Sequence, residues 1–133
     1  MANLIALDVG TKRIGVAAAD SALPIAIALT TIDVDGREFD AITKLIDSRS
    51  VDTVIIGYPR NQSGEPTEQT ALSEAFAAKL QTSASIVFQD ESLTSVMAEQ
   101  RLKASGKPYQ KSDVDAMAAA IILQDYLEAN HAA

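Results

Sequence analysis

The 133-residue chain contains no cysteine. That absence excludes disulfides, thiolate-held zinc and thiol nucleophiles, and it fits a reducing cytoplasm. Histidine is almost as scarce. The one copy, His131, is the third residue from the end, where chains fray, so a Ser-His-Asp triad has no base. Long apolar runs are missing too. The longest, "AMAAAIIL" over 116–123, falls far short of the about 20 residues a membrane span needs. Met1-Ala2-Asn3 leads straight into a strand-like run with no leader pattern. The expectation is a cytoplasmic protein with no membrane segment. Any metal it holds must be held mainly by carboxylates, which select hard ions such as magnesium or manganese.

Excess positive charge is also lacking. The net charge is −7, whereas a nucleic-acid binder usually shows a basic footprint. The distribution tempers this. Residues 31–75 hold four cations against nine acids, but residues 76–112 hold five cations against three acids. A locally basic middle is therefore set between acidic flanks. Length and composition are those of one ordinary globular domain, taken here as 1–133, with enough apolar residues for a core.

The hydrophobic pattern changes period along the chain. Strands are expected at 3–9, 13–19 and 25–32, with Gly10-Thr11-Lys12 closing a hairpin between the first two. A helix follows from Gly36 to Ser50, since Phe39, Ile42, Leu45 and Ile46 share one face. "DTVIIGY" (52–58) reads as a buried central strand. A helix over 64–81 with Pro66 in its first turn, a strand over 84–89 and a helix over 92–105 come next. The last helix, 112–129, has Ser112 or Asp113 as a natural N-cap. The order βββ-α-β-α-β-α-α predicts an α/β fold. Its mixed five-stranded sheet begins as an antiparallel meander, continues with parallel strands and carries helices on both faces. RNase H-like folds share this order.

Three acids stand at element ends rather than on surface faces. Asp8 follows the apolar run Leu4 to Leu7, Glu91 ends the fifth strand beside Asp90, and Asp115 lies in the first turn of the last helix. With the first strand central and the fourth and fifth parallel to it, Asp8 and Glu91 emerge on the same sheet edge. The last helix can bring Asp115 there. Carboxylates gathered at one point need cations, and two divalent ions about 4 Å apart orient a water and stabilise the leaving oxygen of a phosphodiester. Asp8, Glu91 and Asp115 are thus the candidate metal ligands. Gly10, Thr11, Lys12 and Arg13 sit at the same lip, with Tyr58, Arg60, Asn61 and Thr94 near the neighbouring strand ends, as candidate substrate contacts. Tyr58 reads equally well as a packing residue. Asp113 reads better as a helix cap than as a ligand.

The blocks "LIALDVGTKRIGVAAAD", "VIIGYPRNQSGEPTEQT", "DESLTSVMAEQRL" and "SDVDAMAAAIILQDYL" together resemble the YqgF/RuvX family. Its members bear two provisional names, pre-16S rRNA nuclease and Holliday junction resolvase. The resemblance implies a fold like that of the RuvC resolvase and metal-dependent phosphodiester hydrolysis, with Asp8, Glu91 and Asp115 as the acidic triad. It also implies a role in maturing the 5′ end of small-subunit rRNA, or alternatively in resolving branched DNA. One residue departs from the family pattern. Ser92 in "DESLTS" replaces an arginine that would pair with phosphate bidentately. Arg60 in "GYPRN" offers a compensating cation.

Two other classes compete. "LDVGTKRIGVA" also looks like the phosphate loop of the actin and sugar-kinase superfamily, but those proteins close two lobes and this chain has room for one. A non-catalytic RNA-binding assembly factor suits the acidic balance. It does not explain three acids placed where phosphates would approach. The expected partner is nucleic acid, bound by a monomer or a homodimer.

Overall fold

The computed structural model describes residues 3–20, 22–59, 63, 65–91 and 94–131, with the side chains of residues 91, 94–96 and 131 outside that description. Nine elements follow the expected order. β1 (Asn3–Val9), β2 (Arg13–Asp20) and β3 (Leu23–Asp33) lead to α1 (Glu38–Ser48), β4 (Thr53–Pro59), α2 (Glu68–Lys79), β5 (Ser85–Glu91), α3 (Thr94–Ala104) and α4 (Lys111–His131). The strands form one sheet in the order β3-β2-β1-β4-β5. β1 pairs antiparallel with β2 and parallel with β4, and β5 is parallel to β4. The mixed five-stranded sheet expected from the sequence is therefore present.

Alternation along the strands sorts the core into two layers. Ile5, Leu7, Val9, Ile14, Val16, Val54 and Ile56 face α1 and α2, meeting Ile42, Ile46 and Phe76. Leu4, Ala6, Ala17 and Ile55 face α4, meeting Ala119, Ile122 and Leu123. α3 packs on the outer side of α4 through Ala98 against Ala118 and Ile121. Small residues on β1, β2 and α4 let that second layer sit close to the sheet. Two glycines make the approach possible. A Cβ on Gly15 would lie 1.8 Å from the Asp115 carbonyl oxygen, and one on Gly57 would lie 2.6 Å from Ile122 Cδ1.

Element ends depart from expectation where local hydrogen bonds decide them. α2 begins at Glu68, not 64. Thr67 is its N-cap, and Thr67 and Thr70 form a reciprocal capping box. Pro66 thus precedes the cap and does not occupy the first turn. β3 starts at Leu23 and takes Pro24 into the strand, which an edge strand tolerates. α4 begins at Lys111. Asp113 lies inside its first turn, and its Oδ2 accepts the Gln110 N–H at 2.8 Å, so its cap role is exercised from within the helix.

Substituting Gly15 by Ala places a methyl group against fixed backbone, which must push α4 off β2. We expect a loss of about 3 kcal/mol or more, close to 10 °C in Tm for a domain of this size. Circular-dichroism melting checks this, and an unchanged melt would show that α4 does not rest on β2 at this point.

Candidate active site at the carboxyl edge of the sheet

The C-terminal ends of β1, β4 and β5 share one edge, as parallel pairing requires. Leu7 is level with Ile56, and Ile56 with Phe88. Asp8 is the next residue on β1, and Glu91 ends β5 level with Pro59, two positions further along the same edge. Asp8 lies opposite Gly15 in the β1–β2 ladder. Gly15 is the residue on which the backbone of Asp115 rests. The strand register and this one close contact bring the start of α4 beside Asp8.

The electrostatics record the meeting. Burial raises the Asp8 carboxyl from 3.8 to about 6, and the negative charge of Asp115 raises it further in the same direction. Asp8 as a residue keeps some solvent access, yet its carboxylate is enclosed by protein atoms. Asp115 is neutralised differently. Arg13 Nε donates to Asp115 Oδ2 at 2.6 Å, with the two side chains 32% and 25% exposed. The site thus holds two carboxylates and one resident cation. Arg13, expected to reach towards substrate, is instead turned to the carboxylate.

The remaining candidates divide. The Gly10 N–H donates to the Arg13 carbonyl at 3.0 Å, and a Cβ at Gly10 would lie 2.7 Å from that oxygen, so glycine is needed to close the turn. Thr11 and Lys12 are exposed at the tip of that turn. Tyr58 lies on the α2 side of the sheet. Its hydroxyl donates to Glu74 Oε1 at 3.1 Å and its ring meets Phe88 edge-on at 5.2 Å, the packing alternative. Arg60, Asn61 and Ser92, and the side chains of Glu91 and Thr94, lie outside the described residues. Among the described residues no group of three acids or histidines is assembled for a metal; Asp8 and Asp115 are the pair that meets.

Two residues that sequence reasoning missed hold the edge in place. Gln69 Nε2 donates to the Val9 carbonyl, and buried Thr70 donates its hydroxyl to the Pro59 carbonyl. The first turn of α2 thereby ties the ends of β1 and β4 together. The run "TEQT" carried the signal for the cap, but not for these two cross-links.

The family model described as RuvX, Holliday junction resolvase, matches residues 2–129. Curated relatives provisionally named pre-16S rRNA nuclease include one from Chloroflexus aurantiacus. It is 43% identical over 95% of this chain and 86% of its own length. Another, from Geobacillus thermodenitrificans, is 38% identical over 93% of this chain and 96% of its own. Among solved structures, Thermus thermophilus RuvC in complex with a Holliday junction substrate superposes with a TM-score of 0.61 at 15% identity. The match covers 98% of this chain and 96% of that one, a likeness of fold.

The raised Asp8 pKa has a sign that can be tested. The folded chain holds the Asp8 proton more tightly than the unfolded chain, so stability falls as pH rises from about 4 to about 6 and stays reduced above. In chelator, Asp8→Asn should be more stable than wild type at pH 8 by up to about 3 kcal/mol, with the gap closing towards pH 4. Melting curves at both pH values measure it, and parallel behaviour of the two proteins would place the Asp8 carboxylate in water.

Proposed function

The chain belongs to the RuvX family, and from that premise we propose that it is a metal-dependent nuclease whose substrate is precursor small-subunit rRNA, trimmed at its 5′ end in the cytoplasm. The observation that carries the reading is the meeting of Asp8 and Asp115 at the carboxyl edge, with Asp8 pushed to about 6 by burial and by the charge of Asp115. A fold maintains such a pair at a cost to its own stability when a cation completes it.

Oxygen donors of this kind fit magnesium or manganese. Asp8 and Asp115 would hold the ions, with Glu91 contributed from the end of β5. Two bound ions supply an activated water and neutralise charge at the leaving oxygen. The chain's own residues do the rest. Arg13 keeps Asp115 ionised and aimed at the pair. Gly10 keeps the β1–β2 turn tight, so the Thr11 and Lys12 tip flanks the edge and can contact the phosphate backbone. Gln69 and Thr70 fix the strand ends against which a nucleic-acid strand would lie.

A four-way DNA junction is the second substrate reading. It is favoured by the family description and by the shared fold with RuvC, whose solved complex holds such a junction. The two readings share one site and differ in what is cut.

The test is cleavage by purified protein in magnesium and in manganese, on a labelled RNA spanning a pre-16S 5′ end and on a four-way DNA junction. Asp8→Asn and Asp115→Asn should each lower the rate on the order of 10³-fold. RNA cut in preference to the junction supports the rRNA reading, and the reverse preference exchanges the two. RNA bound equally well by wild type and Asp8→Asn, with neither RNA nor junction cut, would replace the enzyme by an assembly factor.

A further inference from the structure

β3 is the outer strand of the sheet, and only one of its faces is covered. Ala26 packs towards α4, where Gln124 accepts the Ala26 N–H at 2.9 Å and donates to the Pro24 carbonyl at 3.2 Å. On the opposite face α1 leaves the strand bare. Leu23, Ile25, Ile27 and Leu29 stand there at alternate positions, 59%, 54%, 61% and 36% exposed. They form a ridge beside an open cavity of about 470 Å³ floored by Leu4, Ala18 and Val51. Edge strands are normally guarded by charge, and residues 23–32 carry none.

We propose that this face is the contact between two copies of the chain, a reading that goes beyond the nuclease function and does not depend on it. The pattern is self-complementary. About a two-fold axis through position 26, Leu23 of one copy meets Leu29 of the other, and Ile25 meets Ile27. Ridge and cavity lie side by side on one patch, as an isologous contact needs. Charge points the same way. A chain of net charge −7 repels its like over most of its surface, but here the strip is uncharged. The cavity rim carries one acid and one base, Asp20 and Arg49, which the two-fold can pair across the interface. The area suits a weak dimer. The ridge is about 20 Å long and about 20 Å wide across the cavity to α1, roughly 400 Å² of apolar centre. With its polar rim this approaches the about 600 Å² per partner of small, reversible interfaces.

Sedimentation equilibrium of the full chain from about 1 to about 300 µM tests it. The mass should climb from 14.1 kDa towards twice that value with a micromolar dissociation constant. Ile27→Glu, on the most exposed ridge position, should weaken the dimer on the order of a hundredfold while the circular-dichroism spectrum stays native. Ile25→Lys should do the same, and it serves if the first variant folds poorly. Arg49→Glu should weaken association, and adding Asp20→Lys should restore it, a rescue that simple damage to the fold would not give. A wild-type chain that stays monomeric across the range would overturn the proposal. So would a dimer that Ile27→Glu and Ile25→Lys leave untouched.

Discussion

The contact between Gly15 and the backbone of Asp115 is the constraint on which the site depends. A helix carrying an acid in its first turn can sit almost anywhere over a sheet. Here the missing side chain on β2 lets α4 settle where any Cβ would overlap the Asp115 carbonyl oxygen. Gly15 is the ladder partner of Asp8. One absent methyl group thus sets both the depth of α4 and the side-by-side placement of two acids 107 positions apart in sequence. Gly57, under Ile122, repeats the device one strand away and keeps the helix from tilting off the sheet.

Two carboxylates forced together create an electrostatic load that the fold meets unevenly. Asp115 receives Arg13, from the first position of β2, through a short charge-assisted hydrogen bond. Asp8 receives no printed partner, and both its burial and its neighbour favour the protonated form. The asymmetry has a geometric origin. Arg13 leaves the sheet at the turn that Gly10 closes, within reach of α4, while Asp8 lies one rung further inside. On the proposed reading the pair is half-compensated by design. Full compensation would leave no electrostatic drive for a divalent ion, and none at all would cost the fold more stability than a 133-residue domain commonly has to spare.

Much of this was legible in the sequence, and what was not has a physical reason. Strand and helix order follow from local periodicity, so all nine elements appear where the pattern places them, with ends shifted by one to four residues. The wrong end at α2 came from treating Pro66 as a helical residue. The reciprocal bonds of Thr67 and Thr70 set the start, and they outweigh what proline tolerates. Asp8 and Asp115 were recognisable because each is an acid in an apolar setting. Arg13 was recognisable as a site cation but not as the partner of Asp115, since a contact across 102 positions leaves no local trace. Gln69, Thr70 and Gly15 were passed over for a related reason. Their roles are to bond or touch backbone of distant strands, and any polar or small residue looks alike before those strands are brought near.

The same sheet order that makes the active edge also makes the bare face. β1 must be central for Asp8 to have parallel neighbours on one side, so the antiparallel meander is displaced outward and β3 becomes the rim. α1 and α2 are drawn over β1 and β4 by Ile42, Ile46 and Phe76, where the largest buried aliphatics lie. They cannot also reach β3. A chain of this length has two helices to spend on that face, and covering the rim as well would need another. An uncharged aliphatic ridge left in water would be a lasting aggregation hazard. A second copy removes the hazard with the surface already present, because a ridge spaced evenly about its own midpoint is the one pattern that a copy of itself can match.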